Sequence, residues 1–252
     1  MLTTIVGCAG SFPGPESCAS CYLIDTGGFR LLLDLGNGAL GALQRHVSLE
    51  RIDAICLSHL HADHCIDMCC YCVAQTMHPD GPRRRIPVYG PARTAERLGL
   101  AMGLEPSTRM TDAFDFAELT PGTIEIGPLR VTTAHMNHPV ETFGFRIEHA
   151  GQVLAYSADT GPTPELVGLA AGADVLLCEA SFLDAPGLPP DLHLTARQAG
   201  EHAARAGVGE LVLTHLVPWN DRVATLEQAS AAFDGPLVLA SSGGQLLGDS
   251  SR

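Results

Sequence analysis

A chain of 252 residues, 46% apolar and only 17% charged, is long enough to bury a core without disulfides and too apolar to be a disordered segment. Its formal charge of −13 argues against a broad basic groove for nucleic acid, which needs clustered lysine and arginine. No stretch approaches the roughly 18 uninterrupted apolar residues of a membrane span. The start, MLTTIVG, has neither the basic region nor the long apolar core of a secretory leader, so a cytoplasmic protein with reduced cysteines is expected.

Taken in chain order, apolar runs bounded by glycine or proline predict strands at 2–6, 20–24, 30–34, 53–57 and 86–89, then at 129–134, 143–148, 152–156, 174–178, 210–214 and 236–240. Helical patterns fall at 38–46, 63–77, 91–101, 163–171, 195–206 and 222–233, with Thr195 placed to cap the alanine-rich one. A short turn at Gly151 joins the runs 143–148 and 152–156, so part of the sheet must be antiparallel. The basic run Arg83 to Arg85 reads as a solvated loop, with a local anion contact as the alternative. Two C-x-x-C pairs, Cys18/Cys21 and Cys69/Cys72, allow a redox or metal site. CIDMCCYC reads more simply as a helix that uses cysteine as a small hydrophobe.

The chemistry concentrates in LSHLHADHC. His59, His61, Asp63 and His64 lie within six positions just after a strand, and imidazole plus carboxylate suits zinc, manganese or iron. A dinuclear centre needs more ligands than this segment holds. Further candidates are His135 and His138 in AHMNHPVETFGFR, Asp159 in YSADTGPTPEL, and His215 after LVLT. Each lies at or near a strand end. IDAICLSHL and VGELVLTHL also echo one another, a strand closing on Ser or Thr, His, Leu, which suggests two similar halves facing each other.

The ordered series H-x-H-x-D-H, lone His, lone Asp and late His resembles the metallo-β-lactamase superfamily, across nearly the whole chain. The resemblance implies an α/β fold, an αββα four-layer sandwich with mixed sheets, as one hydrolase domain over 1–252. Within that superfamily GCAGSFPGP, LLLDLGNG with Asp34, HPVETFGFR and DLHLTARQAGEHA resemble the ribonuclease Z-like phosphodiesterases. The third of these motifs selects His138 over His135. Carried over, the resemblance gives His59, His61 and His138 to one divalent ion and Asp63, His64 and His215 to a second, with Asp159 bridging. The ions are zinc first, manganese second, sharing a hydroxide that Asp63 orients. His193, oriented by Glu179, is implied to stabilise phosphate charge or protonate the leaving oxygen.

Ribonuclease Z enzymes carry a long arm between the third-motif histidine and the bridging aspartate. Here 21 residues separate His138 from Asp159, room for two strands and a turn. The details (SHLHADHC, NHPVETFGFRI, YSADTG, CEASF, PPDLHLTA, THLVPW) look most like the arm-less atypical class II cyclic nucleotide phosphodiesterases. Cys18 and Cys21 depart from that pattern and are expected near the entrance. The implied activity is hydrolysis of a small cyclic nucleotide or related phosphodiester by a homodimer. Transfer-RNA 3′ processing, lactonase or thioesterase chemistry, and a non-catalytic sensor are the alternatives.

Overall fold

The computed structural model describes residues 1–103 and 108–248. The first half of the chain forms a seven-stranded mixed sheet. Its strands are β1 (Leu2–Gly7), β2 (Cys21–Asp25), β3 (Arg30–Leu33), β4 (Ala54–Cys56), β5 (Ile86–Gly90) and β6 (Phe114–Glu118), with the C-terminal β14 (Gln245–Leu246) on the far edge beside β1. The second half forms another: β7 (Gly122–Ile126), β8 (Leu129–His135), β9 (Phe143–His149), β10 (Gln152–Tyr156), β11 (Val175–Glu179), β12 (Glu210–Thr214) and β13 (Leu237–Leu239). In each sheet antiparallel pairing gives way to parallel: from β3 to β6 in the first, and from β10 to β13 in the second.

Period-two side-chain alternation turns these strands into layers. Leu31 and Leu33 face the space between the sheets, while Leu32 faces the helices. Val175, Leu177 and Val212 do the same in the second sheet, against Leu176, Cys178, Leu211 and Leu213 on its outer face. Strands buried on both faces need continuous apolar runs, which is why RLLL, VLLC and ELVL are legible from sequence. The outer layers are helical. On the first sheet lie α1 (Ala39–Leu43) and α3 (Asp67–Thr76), the latter preceded by the single turn α2 (Ala62–Cys65), along with α4 (Thr94–Ala101) and α5 (Thr108–Ala113). On the second lie α6 (Pro164–Ala170), α7 (Ala196–Ala206) and α8 (Arg222–Ser230). This is the expected αββα sandwich.

Thr195 caps α7 as expected, in a capping box with Gln198. The β9–β10 hairpin turns on Ala150 and Gly151, both at positive φ, with His149 opposite Gln152. The helix expected at 63–77 is broken in two at Ile66. Sequence patterning misses β6, β7, β14 and α5. The three strands are sheet edges: β7 exposes four of its five residues, and β14 is two residues long. An edge strand buries too little to show a strong apolar pattern.

None of the nine cysteines forms a disulfide, and no metal-capable cluster among the described residues includes one. Cys21, Cys65 and Cys72 pack as hydrophobes in the helix-facing core, and Cys18, partly buried, packs against it. The arginine run is held by carboxylates: Arg83 by Glu50 and Asp80, Arg84 by Asp53, and Arg85 by Asp115.

Candidate metal centre

The parallel strands β4 and β12 both end at one edge of the sandwich. β4 delivers Ser58 and His59 and leads into the turn carrying His61, Asp63 and His64. β12 delivers His215, β8 leads to His138, β10 leads to Asp159, and β11 ends on Glu179. The backbone is drawn tight here. Asp34, Ala158 and His215 all adopt positive φ without being glycine, a conformation that persists only where the surroundings impose it. Gly36 passes so close to the Asp63 carbonyl that an added Cβ would lie 1.9 Å from it, and at Gly10 it would lie 2.3 Å from the His215 carbonyl. Gly36→Ala is therefore expected to push the Asp63–His64 turn outward, lowering the melting temperature and weakening metal binding together. Calorimetry with and without zinc checks this.

Two ligand-like clusters share one carboxylate. His59, His61, His138 and Asp159 form the first, and Asp63, His64, His215 and Asp159 the second. In the first, His61 Nδ1 lies 3.1 Å from His59 Nε2 and 3.2 Å from His138 Nε2, with Asp159 Oδ2 3.7 Å from His59 Nε2. In the second, Asp159 Oδ1 lies 3.1 Å from His64 Nε2 and 3.4 Å from His215 Nε2, and Asp63 Oδ2 is 3.1 Å from His215 Nε2. Ligands about 2.0–2.2 Å from a common tetrahedral ion sit about 3.3–3.6 Å from one another, so both clusters have the spacing of a coordination shell. Buried His64 Nε2 and Asp159 Oδ1 have no hydrogen-bond partner, an arrangement that is costly unless a cation lies between them. The residues fit a pair of divalent ions. His135, the other histidine of its segment, is exposed and packs on Phe143 instead.

The opposite ring nitrogens of His59, His64, His138 and His215 are engaged, which aims their lone pairs inward. His64 Nδ1 bonds Asp34 Oδ2 at 2.8 Å, and His138 Nδ1 donates to the Leu192 carbonyl at 2.8 Å. Two serines act as relays. His59 Nδ1 bonds Ser58 Oγ at 3.0 Å, and that hydroxyl donates to Asp34. His215 Nδ1 bonds Ser181 Oγ at 2.7 Å, and that hydroxyl donates to Glu179. Asp34 also accepts from Tyr156 Oη and the Ser58 amide. Its four bonds are all from donors, so Asp34→Asn places an NH₂ against them. Zinc affinity should fall roughly 10- to 100-fold, the usual cost of losing such a supporting group, measured by competition with a chromogenic chelator.

Burial pushes His59, His61 and His138 below the ordinary imidazole range, so they present neutral lone pairs. Burial opposes ionisation of Asp159, yet His215 and His64 beside it hold it well below the usual carboxylate range. Burial likewise opposes the His64 cation, but Asp159 and Asp34 hold it well above, so a proton competes there for the place of a metal ion. His193 sits beside these clusters with Nδ1 2.8 Å from Glu179 Oε1. Burial acts to lower its pKa, and the Glu179 carboxylate overrides this and raises it to about 9. Glu179 is itself fixed by the Thr160 amide at 2.7 Å and the Ser181 hydroxyl at 2.8 Å.

The sequence-predicted residues other than His135 thus meet at this edge. Sequence reading missed Ser58, Ser181 and Tyr156. The Ser/Thr-His echo pointed at Ser58, but misled at its second copy: Thr214 pairs with the Tyr22 hydroxyl at 2.6 Å, and Ser181 supports His215 instead.

Residues 29–216 match the beta-lactamase superfamily domain. The chain belongs to the metallo-β-lactamase superfamily. Over 241 residues it is 44% identical to an uncharacterized protein of Mycobacterium tuberculosis, covering 93% of this chain and 87% of that one. It is 30% identical over 246 residues to YhfI of Bacillus subtilis, described as a "probable metallo-hydrolase", covering 96% and 98%. The YhfI crystal structure superposes with a TM-score of 0.86 at 28% identity over 97% of this chain and 98% of that one. A ribonuclease Z of Mycolicibacterium gilvum is 31% identical over 242 residues, covering 85% and 84%. This superfamily member is a metal-dependent hydrolase, and among its described residues no helix is long and apolar enough to cross a membrane.

Proposed function

We propose that this hydrolase cleaves small phosphodiesters, cyclic nucleotides of the 3′,5′- or 2′,3′- type first among them, at a centre of two divalent ions, zinc or manganese. The observation that carries the reading is the pair of four-residue clusters joined through Asp159, with a Glu179-held His193 at their side. Two ions in these clusters would supply a nucleophilic water at neutral pH and neutralise charge on the reacting phosphate. Asp159 keeps the two clusters in register, one oxygen turned to each. Asp63, held by His215, offers a carboxylate to orient the attacking water or take its proton. His193 spends Nδ1 on Glu179, which leaves Nε2 to donate to a phosphate oxygen or to the leaving oxygen.

The small substrate is supported by what separates His138 from Asp159. That stretch is the compact β9–β10 hairpin, which supplies no arm for a folded RNA. The mycobacterial ribonuclease Z relative favours the second reading, precursor transfer RNA. One panel separates them: 3′,5′- and 2′,3′-cyclic nucleotides, a bis-aryl phosphate and a precursor transfer RNA, each with zinc and with manganese, and His193→Ala as the control. Faster turnover of transfer RNA than of any cyclic nucleotide would replace the first reading with the second. A homodimer in the cytoplasm belongs to the same proposal, and sedimentation at the 26.5 kDa mass of a single chain would remove the dimer from it.

A further inference from the structure

Beside His193 lies a cavity of about 380 Å³, lined by Ser11, Phe182, Leu188, His193, Val217 and Trp219 among others. Its size falls within the roughly 300–1,000 Å³ range of small-molecule sites. One end touches the metal centre directly: the Ser11 amide is 3.3 Å from His215 Nε2. The other end carries the indole of Trp219, 74% exposed, with the Phe12 ring 5.1 Å away and tilted by 40°. Leaving an indole this open to water forgoes the burial that normally accompanies so large an apolar group.

The two loops that hold the rings are not free to wander. Leu216 N donates to the Cys8 carbonyl at 2.9 Å and Gly10 N to the Leu216 carbonyl at 3.1 Å, which ties the loop carrying Phe12 to the loop carrying Trp219. The two loops bearing the aromatic corner are therefore joined to each other right beside His215. The cavity lining also contains no lysine or arginine. Beyond His193 a phosphorylated substrate meets no side-chain cation there, so the part lying away from the metal centre is held largely by apolar contact with Leu188, Val217 and Trp219. A flat aromatic group attached to the phosphate satisfies this.

We propose that Trp219, with Phe12 behind it, stacks the base of a nucleoside phosphodiester whose phosphate lies at the metal centre. This rests on the phosphodiesterase reading and narrows its substrate to nucleotides. Base–aromatic stacking tolerates any base, so the corner selects for nucleotides over other phosphodiesters without choosing among them.

Trp219 is the only tryptophan in the chain, and it reports on its own site. AMP and ribose 5-phosphate, identical but for the base, are titrated into the zinc-loaded protein while emission and heat are followed. AMP is expected to change the emission, and ribose 5-phosphate to bind more weakly without changing it. Trp219→Ala should weaken AMP roughly 5- to 150-fold, the span of one lost stack, while leaving ribose 5-phosphate unaffected; Trp219→Phe should recover part of the loss. Equal binding of AMP by wild type and Trp219→Ala, or an equal loss for both ligands, overturns the stacking. So does emission that shifts with protein concentration alone, which assigns the corner to a second copy of the chain. The hydrolysis panel is read separately: turnover of cyclic nucleotides with a silent Trp219 defeats the stacking alone, and AMP stacking without turnover defeats the reaction alone.

Discussion

Replacing Asp159 by alanine is expected to abolish phosphodiester hydrolysis, by about a thousandfold or more, and to lower the number of zinc ions retained per chain. Asp159 is the one side chain common to both clusters, with Oδ1 toward His64 and His215 and Oδ2 toward His59. Removing it leaves each cluster with three ligands, and leaves the three imidazoles of the first with no anion among them. Several kcal/mol of transition-state stabilisation depend on paired ions of this kind, and about 4 kcal/mol is already a factor of a thousand in rate. The carboxylate is buried but stands at the end of β10 and outside the apolar cores, so the sandwich should persist. Turnover, metal content by mass spectrometry and far-ultraviolet circular dichroism on the same sample make the test. Full activity with a single ion would show that the clusters do not work as a pair.

The second large effect belongs to His193. His193→Ala should cost roughly 10²- to 10⁴-fold in turnover while leaving the bound metal unchanged, because His193 supplies a proton and belongs to neither cluster around Asp159. The pH profile carries the sign. Glu179 raises the His193 pKa above its ordinary value, so the imidazolium is present at neutral pH and activity falls as pH rises through that pKa. Glu179→Gln keeps the shape and removes the charge, so the alkaline limb should move toward lower pH. It should also lose activity at pH 8 more than at pH 6. An unmoved limb would assign Glu179 to structure alone, held as it is by Thr160 and Ser181.

What could be read from sequence divides along physical lines. Central strands such as β3, β11 and β12 are buried on both faces and must be apolar throughout, so their signal is strong. Edge strands β6 and β7 bury one face or less and leave a mixed pattern, and β14 is too short to leave any. The candidate ligands that gather at this edge were legible because metal chemistry restricts each position to a few residue types at fixed local spacing, as in His59-x-His61-x-Asp63-His64. The supporting groups were less so. Ser58, Ser181 and Tyr156 are ordinary residue types, and they reach their partners across long stretches of chain: Tyr156 to Asp34 and Ser181 to His215. Only the fold brings them together. The same holds for Phe12 and Trp219, which meet across two loops that nothing in a linear reading joins.

The central claim is that this edge of the sandwich holds two metal ions through Asp159, and native mass spectrometry of the zinc-loaded chain tests it most directly. Two zinc ions bound per chain, falling to one or none in Asp159→Ala, is the predicted result. A wild-type chain that saturates at one ion, or a variant that keeps both, would contradict it.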